Sequence, residues 1–446
     1  MFYLNKDTEL TTALLQKFIN RFILNMQPTL KKWKDYKDGK HAILTKSYAD
    51  KSKECNHIVT NYCKIISDTY SGYICGKPIT YTSNDDITEV QEVINYNDDN
   101  AANIQWLTNA LDFGVGYELQ WLDKFAQVRY AQVNPLNAFV IYDDSLDSEL
   151  LYFVRWYKAD CFDDTNTYYI VVYTDKEKIT YKTEGLEGSL QLVGIEPHYF
   201  KAVPVSVFYL NTDEENIFNS IISLNDAYNE LQSSEIDDFN AWVDCYLTLQ
   251  GCDADEKEIA AMKENRVLIL PEGAAANWLT KNASDTQIVN MLSNIKENIF
   301  KITACPDMAD DTFLAQSGTA LAYKLVGFEN VASGIVANFT KAIQRRIELI
   351  CNILNLKASE AVWRDIQINF VRNIPVNLTE IIQLVNALKG TVSDKTLLAQ
   401  LPFIDDVEAE LEAVQAQKQA NMDLFNLGSN NSFTAPDDDE IEDTDK

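Results

Sequence analysis

The chain has 446 residues, 46% hydrophobic and 11% aromatic, enough to bury a large core spread over about two to four domains. Its 67 Asp and Glu against 38 Lys and Arg give a net charge of -29, which argues against a protein that grips nucleic acid by neutralising phosphates with clustered cations. Eight cysteines without one Cys-x-x-Cys pair, and no run of about 18 apolar residues, argue against a zinc site, a disulfide scaffold and a membrane span.

The N-terminus, MFYLNKDTELTTALLQKF, has neither a basic leader nor a continuous apolar stretch, so no signal peptide is expected. Residues up to about 110 read as helices and connectors. Ile58, Tyr62, Ile65 and Ile66 form a helical stripe ending towards Gly72, and Pro78 opens an extended segment.

From 115 to 210 the period changes to two. YELQWL, QVRYAQV, AFVIY, LLYFVRWY, TYYIVVYT, KITYK and SLQLVG are short, aromatic and β-branched, separated by turn clusters such as Tyr142-Asp143-Asp144-Ser145. That pattern predicts an antiparallel meander.

Residues 213–251 return to helix, with Phe218, Ile221, Ile222, Tyr228, Leu231, Phe239, Trp242 and Val243 recurring mostly every three to four residues, and Gly251 as the stop. No Lys or Arg lies between Lys201 and Lys257, while twelve acids do. A helix with one apolar side and only acids elsewhere differs from an ordinary mixed-sign solvated helix, so a requirement for a negative surface is expected. Residues 252–284 read as a compact insertion with a short strand, RVLIL. In TQIVNMLSNIKENIFKI, Ile288, Met291, Ile295, Ile299 and Ile302 recur near the spacing of a helix that packs along another helix.

The stretch ACPDMADDTFLAQSG interrupts two helical patterns: Pro306 ends the first, a loop carrying Asp307, Asp310 and Asp311 follows, and Ser317-Gly318 restarts the second. Apolar positions 321, 325, 328, 331, 335, 339, 343, 347, 350 and 354 then mark a long helix, with Gly327 and Gly334 as natural bend sites. Beyond it come a strand in IQINFVRNIP and a helix opened by Asn377 with Glu380 and stopped by Gly390. Residues 428–446 carry seven acids against one lysine and are expected to form a disordered tail.

Chemistry-bearing patterns are weak. Gly114-Val115-Gly116 has Leu119 where a dinucleotide fingerprint needs a third glycine, and strands follow it, so it reads as a bend entering a hairpin. In CGKPITY, Pro78 stands where a phosphate loop needs Ser or Thr. Aspartate pairs recur at 85–86, 98–99, 143–144, 163–164, 237–238, 310–311 and 405–406, but none has a supporting His or Lys constellation, so two-metal catalysis is disfavoured. His41, His57 and His198 are isolated and read as structural.

The order of these elements resembles the tailed-bacteriophage portal proteins of the siphophage type, the head-to-tail connectors. The resemblance rests on NHIVTNYCKIISDTYSGYICGKPITY, on VPVSVFYLN with LNDAYNELQSSEIDDFNAWVDCYLTLQG, on NIFKITACPDMADDTFLAQSGTALAYKLVGFEN, and on INFVRNIPVNLTEIIQLVNALKGTVSDKTLLAQLPFIDDVEAELE, in that order. It implies an α+β portal fold. Residues 1–114 would be the N-terminal arm and helical part of a wing, 115–212 the β-rich wing and 213–251 the wing-to-stem helix. An α/β clip (252–284), a second stem helix (285–304) and a tunnel loop (305–317) would follow. Residues 318–355 would be a long kinked helix and 356–427 a crown, ahead of the acidic tail at 428–446. The tunnel loop departs from relatives in carrying Ala315-Gln316 where they often have glycine or asparagine.

The resemblance further implies a non-enzymatic virion protein without cofactor or metal. About twelve copies would form a ring at one capsid vertex after assembly in the host cytoplasm, with double-stranded DNA passing through. The expected partners are the terminase large subunit, the major capsid and scaffolding proteins, and a head-tail adaptor, with no membrane. On this reading Asp307, Asp310, Asp311, Thr312, Phe313, Leu314, Ala315, Gln316 and Ser317 form a loop at the channel's narrow point, where phosphate binding would be a fault. Asp237, Asp238, Lys296, Lys301 and Lys324 are the candidate channel charges, the lysines either forming sparse positive rings or pairing with acids. Two other classes fit the residues less well: another oligomeric head protein, adaptor or scaffold, without a channel, and a metal-dependent nuclease.

Overall fold

Strand β5 (Ala138–Asp143) pairs in parallel with β1 (Phe2–Leu4), Phe2 opposite Ile141 and Leu4 opposite Asp143, so the first residues of the chain form one edge of its largest sheet. The computed structural model describes residues 2–49, 55–159, 166–243, 247–250, 273, 275–278, 285–309, 318–356, 363–373, 378–398, 401, 404, 407 and 410–418. They fall into two units, Met1–Asn373 and Ile374–Lys446. The described residues mix helix and sheet, an α+β chain.

From β5 the large sheet continues through β6 (Leu150–Lys158), β7 (Thr167–Tyr173), β8 (Glu177–Glu184) and β9 (Gln191–Pro197), each antiparallel to the last. The seven expected strands are present, but they do not form one meander. β3 (Val115–Leu122) and β4 (Val128–Val133) leave it to pair with β10 (Val205–Tyr209) in a separate sheet of order β10-β3-β4. Period-two alternation supplies both sheets with an inner face: Val115, Tyr117 and Leu119 meet Val140, Phe153, Val171 and Tyr173 in a shared core. Phe139 and Trp156, on the other side of the large sheet, pack against Phe22 at 5.5 and 5.4 Å between ring centres.

Phe22 belongs to a π-helical turn, Phe22–Met26, between α1 (Thr12–Arg21) and α2 (Gln27–Lys37). α3 spans Tyr62–Cys75, capped by Asn61, which accepts from the Lys64 amide. It passes through Gly72 and ends at Gly76, where a Cβ would strike the Gly72 carbonyl. Of its expected stripe, Ile58 precedes the helix and Ile65 is exposed; the buried side is Tyr62, Cys63, Ile66, Tyr70 and Ile74. The N-terminal region also holds a second strand, β2 (Thr80–Thr82), ahead of α4 (Thr88–Tyr96) and α5 (Asp99–Phe113).

Gly114 ends α5 in the left-handed region (φ 75°), and a Cβ there would lie 2.3 Å from the Glu214 carbonyl. Gly116 is pressed against Trp106. The Gly114-Val115-Gly116 segment is therefore a helix-to-strand corner, required by close packing.

α6 (Ile222–Val243) ends before the expected stop at Gly251, because Leu247–Gln250 is already strand β11, antiparallel to β12 (Ala275–Trp278). RVLIL lies outside the described residues. α7 (Asp285–Ile302) packs on α6, burying Ile299 and part-burying Ile288 and Ile295, while Met291 and Ile302 of the expected seam are exposed. α8 (Gly318–Leu356) runs 39 residues without interruption through Gly327 and Gly334. Leu325, Phe328, Ile335, Phe339, Ile343, Ile347, Ile350 and Leu354 are buried as their spacing requires; Val331 is exposed. Phe339 stacks on Phe208 at 4.5 Å and meets Trp106 edge-on at 5.5 Å, joining α8 to the smaller sheet and α5. Strand β13 (Gln367–Asn369) returns to pair with β2.

The second unit contains α9 (Leu378–Leu388), followed by Gly390 at φ 87°, and α10 (Asp394–Leu398). Asn377, the expected cap of α9, lies outside the described residues.

Candidate channel elements

The polar side of α6 is largely spent inside the chain. Asn225, Asn229, Ser233 and Asp237 stand four residues apart, about 6 Å per step on a helix. Against them runs an extended segment whose alternate residues advance about 6.6 Å. The two repeats match. The amide of Asn56 donates to Asp237 Oδ1 (2.8 Å), Ile58 to Ser233 Oγ (3.0 Å), Thr60 to Asn229 Oδ1 (2.8 Å) and Tyr62 to Asn225 Oδ1 (3.2 Å). Asn225 Nδ2 donates back to the Thr60 carbonyl at 2.7 Å, and Asn225, Asn229 and Ser233 are fully buried. A strap without a strand partner among the described residues thus has alternate backbone donors satisfied by helix side chains.

This arrangement accounts for much of the cation-free character of α6. Asp226 accepts from the Tyr36 hydroxyl at 2.7 Å, and Glu230 lies 3.4 Å from Lys46. Asp237 takes both the Asn56 amides and the Tyr48 hydroxyl. Burial opposes the charge on Asp237, but these hydrogen bonds outweigh it and hold the carboxyl below its ordinary range. Asp237 is accordingly half-buried and committed to the strap, whereas its neighbour Asp238 is exposed.

α7 leads to the loop singled out in the sequence. After Ile302 the chain turns through Thr303, whose carbonyl accepts from the buried Tyr70 hydroxyl at 2.7 Å, and through Ala304 at φ 50°. Asp307 then forms an ion pair with Lys296 at 2.7 Å and caps the amide of Ala309. Lys301 pairs with Glu297 one turn back at 2.8 Å. Lys324 is exposed, with no carboxylate beside it among the described residues. Asp310, Asp311, Thr312, Phe313, Leu314, Ala315, Gln316 and Ser317 lie outside the described residues. The structure therefore brings Lys296 and Asp307 together at the root of the loop and leaves Asp237 and Lys324 apart from that pair.

Two charged clusters, both missed in the sequence, anchor α8. Arg346 is completely buried on its apolar stripe. It donates to Glu118 Oε1 (2.6 Å) and Oε2 (2.5 Å), to Asp99 Oδ1 (2.6 Å) and to Asn103 Oδ1 (2.8 Å), with Tyr130 and Trp106 stacked against it. Burial opposes its charge, but Glu118, Tyr130 and Asp99 more than offset this and hold the guanidinium protonated. Seventeen residues nearer the start of the helix, Glu329 accepts from Arg372 Nε at 3.1 Å, the Tyr73 hydroxyl at 2.5 Å and Ser333 at 2.8 Å. Burial works against the Glu329 charge, but these donors bring the carboxyl down to about 2.

The remaining candidates have structural roles. Asp86 caps Thr88, Asp143 holds the Ser145–Glu149 turn, and Asp99 belongs to the Arg346 cluster. The pairs at 163–164, 310–311 and 405–406 lie outside the described residues. His41 Nε2 donates to the Tyr36 carbonyl (3.1 Å) while its Nδ1 accepts from Asn229, and burial lowers its pKa. His57 and His198 bond the carbonyls of Lys46 and Thr174. Among the described residues no cluster of His, Cys, Asp or Glu is suited to a metal ion, and no helix is long and apolar enough to cross a membrane.

Comparison with known families decides between the open classes. The family model for phage portal protein, SPP1 Gp6-like, matches residues 17–423. This chain belongs to the phage portal protein family. It is 22% identical over 393 residues to the portal protein of Bacillus phage SPP1, covering 82% of this chain and 77% of that protein. It is likewise 22% identical over 395 residues to the portal protein of Clostridium phage phiCD119, covering 81% and 86%. Portal proteins are structural components of the virion, and the family implies a ring of identical copies.

Proposed function

We propose that about twelve copies of this chain form a ring at a single capsid vertex, through whose axial channel double-stranded DNA is packaged and later ejected. During packaging the ring docks the terminase large subunit; afterwards it receives a head-tail adaptor, with the major capsid and scaffolding proteins as its neighbours in the shell. The observation that carries this reading is the family match across 17–423, which takes in α6, α7, α8 and the segment between α7 and α8.

The charge chemistry supports the channel part. Every phosphate contact made by a cation adds about 0.9 to the salt slope of binding, and each cation in a ring is repeated in every copy. A conduit for a sliding polyanion works best with few free cations. Lys296 and Lys301 are each neutralised by an acid of their own chain, which leaves Lys324 as the exposed exception near the start of α8. In this reading Asp310 to Gln316 form the narrow point, and Asp307 with Lys296 fixes the loop's root.

The test is projection imaging of the purified full chain by electron microscopy. A ring with a central hole supports the reading; compact particles without a hole favour an adaptor or scaffold role and overturn it.

A further inference from the structure

Residues 12–46 carry eight Lys and Arg against two acids, in a chain whose remainder has 30 against 65. Three of these cations are paired: Lys37 with Asp68 and Asp112, Lys40 with Asp35, Lys46 with Glu230. The other five, Lys17, Arg21, Lys31, Lys32 and Lys34, are exposed on α1 and α2 and form no ion pair among the described residues, although Lys34 lines a cavity with Asp38 and Asp112. Lys32 lies over the Tyr36 ring at 5.8 Å.

The connection between α1 and α2 has apolar features. The π-helical turn Phe22–Met26 joins the two basic helices, and such turns are uncommon and often sit at functional sites. It buries Phe22 and leaves Leu24 73% exposed. Beside it, Phe2, Tyr3, Phe18, Arg21, Asn25 and Met26 line a cleft of about 390 Å³. Aromatic, Met and Arg side chains around an open cleft are the composition of a protein interface. Phosphate recognition has no use for an exposed leucine or an apolar cleft, so the geometry favours a protein over nucleic acid.

We propose that the basic α1–α2 segment, with the cleft beside its π-helical turn, docks an acidic surface of a second copy of the chain, with an apolar side chain of that copy seated beside Leu24. The inference rests on the ring reading above. Copies that each carry a charge of -29 repel one another. They come together most readily where one of them is locally positive, and the α1–α2 segment is such a place.

The test uses the full chain, with assembly followed by native mass spectrometry and light scattering. Lys31→Glu/Lys32→Glu/Lys34→Glu, and separately Leu24→Asp, should each raise the subunit concentration needed for half-assembly at least about tenfold while leaving the circular dichroism spectrum unchanged. In wild-type rings mixed from two isotope-labelled pools, zero-length cross-linking should join Lys31, Lys32 or Lys34 to acids of a different copy. Normal assembly of both variants, with links only within one copy, overturns the docking proposal. Normal assembly combined with lost duplex-DNA binding assigns the segment to nucleic acid and overturns it equally. A wild-type chain that never assembles removes the ring reading itself, an outcome distinct from either.

Discussion

The backbone amide of Thr60 donates to Asn229 Oδ1 at 2.8 Å, and the same asparagine donates through Nδ2 to His41 Nδ1 at 3.1 Å. One buried side chain thereby fastens both the strap and the loop after α2 to α6. Asn229→Ala removes an acceptor and a donor at once and leaves one buried and one half-buried group unpaired, a cost of about 2 kcal/mol. Denaturant unfolding should show it, with faster hydrogen exchange at the Thr60 amide. A loss under about 0.5 kcal/mol with unchanged exchange would mean the ladder is incidental.

Arg346 and Glu118 form the buried bidentate pair that locks α8 to the smaller sheet. Arg346→Met leaves Glu118 as an uncompensated buried carboxylate and should cost about 3–5 kcal/mol in guanidinium unfolding. Adding Glu118→Gln should restore part of that loss, because the second change removes the stranded charge. Arg346→Lys should fall short of wild type, since one ammonium cannot span Glu118, Asp99 and Asn103 together. Additive single and double changes would refute the coupling.

Much of the architecture was legible because it is local. Alternation located the seven strands, and the spacing of apolar residues located the buried side of α8. What escaped depends on distant partners. Nothing in MFYL announces that Phe2 will lie opposite Ile141, and the division into two sheets hinges on β3 choosing β10. The stop at Gly72 was misplaced because a helical glycine costs only about 1 kcal/mol when packing favours continuation. Arg346 reads as a polar interruption of an apolar stripe; its carboxylate lies 228 residues away. Asn225, Asn229 and Ser233 did leave a signal, small polar residues at a four-residue step, which the excess of acids around them masks. The sequence itself marks an interruption at 305–317, but its place in a channel rests on the resemblance alone.

Glu329 makes stability depend on acidity in a defined direction. Its folded carboxyl titrates at about 2, below the ordinary 4.5. The stability it contributes is complete above the unfolded value and is lost as pH falls from about 5 towards 2. Wild type should therefore exceed Glu329→Gln in melting temperature at pH 7, with the gap closing between pH 5 and 2.5. A gap that is constant across that range would show that the Arg372 and Tyr73 contacts do not favour the ionised form.

The segment between α7 and α8 offers the most direct test of the proposed channel. Asp310→Lys/Asp311→Lys changes each copy by four charges and repeats that change around the ring, converting a surface that repels phosphate into one that binds it. Rings should still form, because the described contacts at the loop root, Lys296 with Asp307 and Tyr70 with Thr303, are untouched. In a packaging reaction with the terminase motor, DNA uptake should slow, and the defect should ease as salt is raised and the added contacts weaken. Asp310→Asn/Asp311→Asn should package at close to the wild-type rate, since losing repulsion is milder than gaining attraction. Wild-type uptake by the lysine variant at low salt would remove these residues from the channel's narrow point.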